Sequence, residues 1–530
     1  MAAANVAVYF LLCLLICSSC EAYKALVVFG MPSKSHSILG DGVVRQLLKD
    51  GHEVTYIRAF EYKNPPPNLR QIDVSSNIDV MPSDLINIKK IMEKSMVTPD
   101  NHDFVRRFML KMATATVEHE DVQKLLNNPN EHFDVVIVEW MFSELIAGFA
   151  PIFDCPLIWL SPVEVNSGVL SLIDAAPSPA YATDALSSNM HPFTFTQRVE
   201  ELWSRVKARY NAIMYYDQMH ITAYERLIVP CILKRGRQPP SFHDVRYNAS
   251  LILGNSYVSM GLALGLPQNY KPIGGYHIDE DVKPLPQDLE KIMMSAKNGV
   301  IYFSMGSNLK SKDWPEKVKT DLLKMFGELK QTVLWKFEED LPNVPKNVHI
   351  LKWAPQPSIL SHPKCVLFIT HGGLLSTTET IHYGVPIIGI PVFGDQPINV
   401  KRSVNKGFAL EVKLSYDTAA DLKVAIEEIL HNPKYRQKVK ELSFIYHDRP
   451  VKPGAELRHW VQHVISTRGA LHLRSPALQI PLYQRLYLDL AGLLIVAVLV
   501  FFIMLRFVFE LLCSNKKKQQ KVDGKKKKKN

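Results

Sequence analysis

Residues 353–396 read WAPQPSILSHPKCVLFITHGGLLSTTETIHYGVPIIGIPVFGDQ. Two unbroken apolar runs stand in this stretch, VLFIT at 366–370 and PIIGIP at 386–391. Short continuous runs of that kind, bounded by turn residues, are the pattern of strands buried on both faces of a parallel sheet. The residues between them turn at His371-Gly372-Gly373 and then follow a helical pattern through Ser376 and Glu379. Strand, turn, helix and strand make one unit of an open α/β sheet.

In such sheets ligands bind outside the carboxyl ends of the strands, where loops lead into helix N-termini. The polar groups of 353–396 fall at those ends. A Gly-Gly turn into a helix offers free N–H groups and a partial positive charge, a ready seat for a diphosphate. The next strand delivers Asp395-Gln396, acceptor and donor suited to sugar hydroxyls. Upstream, Trp353 offers a flat face for a base and Gln356 a polar edge. Gly306 and Ser307 end the strand pattern GVIYFSMGS at 299–307.

The same pattern opens the chain. YKALVVFG (23–30) is a buried strand, MPSKSHS (31–37) a loop carrying His36, and 38–57 an amphipathic helix running into a second strand. FDVVIVEW (133–140), with Glu139 near its end, and PLIWLSP (156–162) are further strands. A Pro/Gly-rich stretch at 266–286 reads as a linker, after which the βα pattern restarts. Two sets of βα units imply two doubly wound, Rossmann-like α/β domains facing each other across a cleft.

The ends of the 530-residue chain belong to neither domain. Residues 1–22 carry an apolar run and then small residues, the form of a cleaved secretory signal. Leu490–Leu505 is apolar and the pattern resumes after Arg506, which places a transmembrane helix at 488–509. The tail carries nine lysines against Asp523, while the whole chain is only +10, so the rest is nearly neutral. The basic balance therefore does not point to nucleic acid. By the positive-inside rule it puts the tail in the cytosol and both domains in the lumen. Lys527 and Lys528 resemble a di-lysine signal of endoplasmic reticulum membrane proteins. Of seven cysteines only Cys155, Cys231 and Cys365 fall in the luminal part, too few and too scattered for a disulfide or zinc scaffold. Asn248-Ala249-Ser250 is the one glycosylation sequon.

With these residues in view, the chain resembles the UDP-glycosyltransferases, UDP-glucosyl and UDP-glucuronosyl enzymes, most of all the insect membrane-bound type. The resemblance runs from the signal peptide through the 353–396 signature to the lysine tail. It implies a GT-B type fold: a signal at 1–22, an acceptor domain at 23–265, a linker at 266–286, a UDP-sugar domain at 287–465, a membrane-proximal segment at 466–487, the span, and a cytosolic tail at 510–530. It implies that Trp353 stacks on uracil and that Gln356 and Glu379 hold the ribose side. Ser307, His371, Gly372, Gly373 and Ser376 surround the diphosphate, and Asp395 and Gln396 grip the sugar. Where many plant members have Asn, this chain has Leu375, so that contact is lost.

The resemblance also marks His36 as general base, with Glu139 in the place where vertebrate members have Asp. A carboxylate on an imidazole fixes its tautomer and stabilises the imidazolium that forms. The implied reaction is a single inverting displacement. It moves a hexose (glucose ahead of glucuronate) from a UDP-sugar co-substrate to a hydroxyl of a small lipophilic acceptor, with no tightly bound cofactor and no metal. Self-association is left open. Two features are read as bystanders: Asp279-Glu280-Asp281 as solvated charge, and the His459/His463 pair as helix surface. A dinucleotide enzyme is disfavoured because the first turn lacks Gly-x-Gly-x-x-Gly. The remaining alternative is a membrane-anchored binding protein that kept the fold and lost activity.

Overall fold

The computed structural model describes residues 22–82, 87–93, 102–174 and 176–526, with side chains as far as residue 516. The signal-peptide run and Lys527 and Lys528 lie outside the described residues. The chain falls into two units, Met1–Arg474 and Ser475–Asn530.

The first unit contains two parallel sheets. One is built from β1 (Lys24–Phe29), β2 (Glu53–Arg58), β3 (Leu69–Asp73), β4 (Val135–Glu139), β5 (Leu157–Ser161), β6 (Leu251–Gly254) and β7 (Tyr270–Pro272), in the order β3-β2-β1-β4-β5-β6-β7. The other holds β8 (Val300–Ser304), β9 (Thr332–Lys336), β10 (Val348–Leu351), β11 (Cys365–Thr370), β12 (Ile387–Gly389) and β13 (Ala409–Glu411), in the order β10-β9-β8-β11-β12-β13. The continuous apolar runs have the reason expected of them. Leu26 and Val28 of β1 enter the core on one face of the first sheet, Ala25, Val27 and Phe29 the core on the other. In β8, Ile301 and Phe303 face one core and Val300 and Tyr302 the opposite one. Every residue of such a strand is inside, so none need be polar.

Helices cover both sheets, and four matter to the site: α1 (Lys34–Lys49), α2 (Leu374–Tyr383), α3 (Gln396–Asn405) and α4 (Pro453–Ser466). α1 buries Leu39, Val43, Val44 and Leu47, one stripe at helical spacing. It begins earlier than the sequence pattern places it: extended Ser33 precedes it, and His36 sits in its first turn rather than in a loop. Ser33-Lys34-Ser35 supplies the change from extended to helical backbone that the apolar stripe, starting at Ile38, does not mark.

Two further differences concern boundaries. The Pro/Gly-rich stretch at 266–286 contributes β7, a three-residue edge strand that its composition conceals. α4, last in the sequence of the second domain, inserts Leu457, Val461 and Val464 into the core of the first sheet beside α1. Its ion pair, Arg458 Nε to Asp50 Oδ1 at 3.0 Å, is partly exposed and contributes little, so apolar burial holds it there.

The second unit is dominated by α5 (Leu488–Lys526). Residues Leu488–Lys516 form the one helix among the described residues long and apolar enough to cross a membrane, its most apolar 18-residue stretch having mean hydropathy 2.9.

Leu457 is fully buried, so Leu457→Ala should cost about 2–5 kcal/mol. Urea unfolding followed by tryptophan fluorescence should show an earlier midpoint. An unchanged midpoint would mean that α4 is not part of the first domain's core.

Candidate active site

The winding of each sheet reverses once, between β1 and β4 in the first and between β8 and β11 in the second. At such a switch point the loops diverge and leave a crevice at the carboxyl ends of the strands. The residues singled out from sequence collect at these two crevices. His36 follows β1 and Glu139 ends β4, and the register that sets Val28 opposite Val138 brings the two strand ends level. His36 Nδ1 is hydrogen bonded to Glu139 Oε1, so the longer glutamate does reach the imidazole. With its Nδ1–H donated to the carboxylate, the ring carries its lone pair on Nε2. Burial opposes charge on this ring, but the Coulombic pull and hydrogen bond of Glu139, with a smaller pull from Asp395, raise His36 above the ordinary imidazole value. Asp395 belongs to the opposite domain. Burial in turn raises its own carboxyl, against a hydrogen bond from Asn399 Nδ2 at 2.8 Å.

In the second crevice Gly306 and Ser307 follow β8, and His371 follows β11. The imidazole of His371 lies against bare backbone. A Cβ on Gly306 would stand 2.5 Å from its Cε1, and one on Gly373 2.6 Å from its Nε2. Burial, then the charge of Lys336, pushes His371 down to about 4, so it is neutral at physiological pH. Lys336 is itself held by Gly306 O at 3.0 Å and Glu338 at 2.5 Å. Gly372 has φ +81, and Gly373 caps α2, whose first N–H groups lack intrahelical partners.

Gln356 joins the helices beside this turn. Its Nε2 donates to Ser376 Oγ at 3.1 Å and Glu379 Oε2 at 2.6 Å, while its Oε1 accepts from the Tyr302 hydroxyl at 3.3 Å. Burial pushes Glu379 up to about 7, with the Gln356 hydrogen bond opposing. Trp353 is 58% exposed, and Lys34 Nζ lies 4.3 Å from its ring centroid. Gln396 is buried differently from Asp395. Its Oε1 accepts from the backbone N–H groups of Val392 and Phe393 at 2.9 and 3.2 Å, so its carbonyl shapes the turn and only its NH₂ remains for a ligand.

His36, Ser307, Trp353, Gln356, His371, Gly373, Ser376, Glu379, Asp395 and Gln396 line one cleft of about 750 Å³ between the sheets. Gly372 lies under it, against Val400. Glu139 stands behind His36, and Asn248 lies away on an exposed loop before β6. Of the bystanders, Asp279 is paired with Arg45 at 2.7 Å. Among the described residues no group of three or more His, Cys, Asp or Glu side chains is placed to hold a metal ion. On the first domain's side the walls include an apolar group, Phe104, Phe108, Met109, Phe142 and Leu186. Sequence reasoning missed Lys34, Asn308, which accepts from Ser33 Oγ at 2.9 Å, and Lys336. It also missed Asn399, although its i, i+4 spacing from Asp395 was a usable signal.

Two Rossmann-like parallel sheets with facing switch-point crevices make up the GT-B type fold. The solved structures agree in fold: the calicheamicin glycosyltransferase CalG4 superposes with TM-score 0.54 over 84% of this chain and 99% of that one at 16% identity. A kitacinnamycin glycosyltransferase does so with TM-score 0.52 over 84% and 98% at 17% identity. The chain belongs to the family UDP-glucoronosyl and UDP-glucosyl transferase, which it matches over residues 25–525. Among curated relatives, UDP-glucosyltransferase 2 of Dactylopius coccus is 29% identical over 93% of this chain and 94% of its own. UDP-glucuronosyltransferase 2B15 of Rattus norvegicus is 29% identical over 86% and 87%. The protein is thus an enzyme that transfers a sugar from a UDP-sugar.

A Cβ on Gly372 would meet Val400 Cγ2 at 2.2 Å, and a non-glycine residue at this φ is strained by about 1–2 kcal/mol. Gly372→Ala should lower the melting temperature and weaken UDP binding measured by calorimetry. Adding Val400→Ala removes the clash but not the strain, so it should restore only part of the loss. Wild-type UDP affinity in Gly372→Ala would show that this turn is not where the nucleotide sits.

Proposed function

We propose that this enzyme transfers glucose, with inversion, from UDP-glucose to a hydroxyl of small lipophilic acceptors. The observation that carries the reading is the His36–Glu139 hydrogen bond at the mouth of an apolar pocket, facing Asp395 across the cleft. In this reading His36 Nε2 accepts the proton of the acceptor hydroxyl as its oxygen attacks the anomeric carbon in line. The bond to the UDP oxygen breaks on the other face, so an α-linked donor gives a β-glycoside. Glu139 holds the tautomer and stabilises the imidazolium.

Charge growing on the departing diphosphate is met by the N–H groups at the start of α2 and by Ser307, His371 and Ser376. A neutral His371 serves there as a hydrogen-bond donor. Trp353 takes the uracil, Gln356 and Glu379 the ribose, and Asp395 with the Gln396 amide the hexose hydroxyls. The acidic Asp395 suits a neutral hexose better than a hexuronate, and the Dactylopius coccus relative named a UDP-glucosyltransferase supports the same choice. The lipophilic lining supports small phenols or alcohols as acceptors, and hence conjugation of metabolites or foreign compounds.

Purified enzyme with one phenol should turn over UDP-glucose faster than UDP-glucuronate and give the β-anomer. His36→Ala should lose about 10²–10⁴ in rate while binding UDP normally. The neutral ring is the active form, so kcat/KM should rise with pH through the His36 pKa, which lies above the ordinary 6.5. Glu139→Gln removes the negative charge that raises this pKa, so the acid limb should move to lower pH while the plateau falls. Near-wild-type phenol transfer by His36→Ala would rule it out as base.

We further infer a single-pass type I protein of the endoplasmic reticulum, with a signal at 1–22, luminal domains, glycosylated Asn248 and a cytosolic tail. The apolar helix Leu488–Lys516 followed by lysines supports this. In sealed microsomes, protease should trim only the tail, and Asn248→Gln should abolish an endoglycosidase-sensitive mobility shift. Digestion of the main domains without detergent would overturn the topology.

A further inference from the structure

His277 lies on the loop that leaves β7, outside every motif of the sequence. Its side chain is 1% exposed, yet neither ring nitrogen has a hydrogen-bond partner among the described residues. Buried polar groups are nearly always satisfied, so an imidazole with both nitrogens idle calls for a partner that comes and goes. The ring is on the wall of the cleft, with Nε2 4.0 Å from Glu379 Oε1. That gap is too wide for a direct hydrogen bond. It does suit one hydroxyl bonded to both atoms, since two bonds of about 2.8 Å meeting at an oxygen span roughly 4–5 Å. Glu379 is free to use this oxygen, because Gln356 bonds to the other one.

The geometry points to His277 and Glu379 as the two sides of a clamp on one ribose hydroxyl of the donor nucleotide, a contact made by the first domain on a nucleotide seated in the second. The inference rests on the donor reading above, in which the ribose lies beside Gln356 and Glu379.

His277 belongs to the first domain by its anchorage. Arg45 of α1 donates from Nη2 to His277 O at 2.9 Å, and its Nε pairs with Asp279 at 2.7 Å. Gly42 of α1 lets the loop come close, since a Cβ there would stand 2.9 Å from His277 Cα. The neighbouring Tyr276 is buried in the first domain's core. A ligand on Glu379 therefore touches the first domain through this ring and feels whether the cleft is closed. Burial, then the charges of Arg45 and His382, pushes His277 down to about 3. It is thus a neutral donor–acceptor and not a counter-ion for phosphate, as a hydroxyl partner requires.

The test compares UDP, 2′-deoxy-UDP and 3′-deoxy-UDP by calorimetry on the full-length protein in detergent. Wild type should bind one deoxy analogue more weakly than UDP. His277→Leu should weaken UDP by about 5–10-fold and leave that analogue within about twofold, so that discrimination collapses. His277→Gln, which keeps a donor and an acceptor, should fall between the two, and it remains readable if the leucine variant does not fold. Equal losses for all three nucleotides mean a structural residue, and unchanged discrimination in either variant means no contact. Both results overturn the clamp. A wild-type protein that binds no UDP would instead overturn the donor reading itself.

Discussion

The reversal of winding in each sheet is the constraint on which the rest depends. A right-handed crossover places its helix on one face of the sheet or the other, according to the direction in which the chain moves along it. Where that direction changes, two neighbouring strands send their loops to opposite faces, and the crevice between them cannot be filled by either connection. β1 and β4 are such a pair, and so are β8 and β11. His36 and Glu139 come from the first pair, Ser307 and His371 from the second. The chain separates His36 from Glu139 by 103 positions, and the sheet puts their side chains in contact.

Burial is the largest influence on His36, His277, His371, Glu379 and Asp395, and the partners decide the outcome. Among the three imidazoles, His36 alone gains a hydrogen-bonded carboxylate, and it alone is raised. His371 and His277 have no carboxylate within hydrogen-bond reach, and burial with nearby cations holds both neutral. On the proposed reading, proton acceptor and neutral hydrogen-bond donor are thus separated by electrostatics within one cavity, the pattern by which acid–base roles are divided at neutral pH. Glu379 and Asp395 are raised by the same burial, Glu379 to about 7, so a ligand hydroxyl beside Glu379 meets a carboxyl group that can donate as well as accept.

The two-domain α/β architecture was legible because strands buried on both faces leave unbroken apolar runs, and because polar groups at their carboxyl ends stand out against those runs. The 353–396 signature was legible for the same reason, with all its polar residues within two βα units. Less could be read where structure arises from distant packing. β7 is three residues long inside a Pro/Gly-rich stretch, so no run marks it. α4 follows the second domain in sequence, and its apolar stripe does not reveal which sheet it covers. The N–H and lone pair of His277 have no local meaning; they acquire one only when the loop is pinned by Arg45 and brought against Glu379. The role of Gln396 was half visible. Its position beside Asp395 can be read from sequence, but the use of its carbonyl by the backbone of Val392 and Phe393 depends on the turn closing.

Two contacts bridge the domains directly beside Trp353, Ser33 to Asn308 and Lys34 to the ring of Trp353. On the proposed reading a uracil that stacks on the face covered by Lys34 must displace it. A cation–π contact at an exposed site contributes about 0.5–1 kcal/mol, and stacking of a base on an aromatic side chain about 1–3 kcal/mol. The exchange therefore favours the base by a small margin, and the lysine's own attraction to the ring returns it once the nucleotide leaves. Lys34 also precedes His36 by two residues in the first turn of α1. The flexible four-carbon stem of the lysine lets its ammonium swing aside while the turn that carries His36 stays in place.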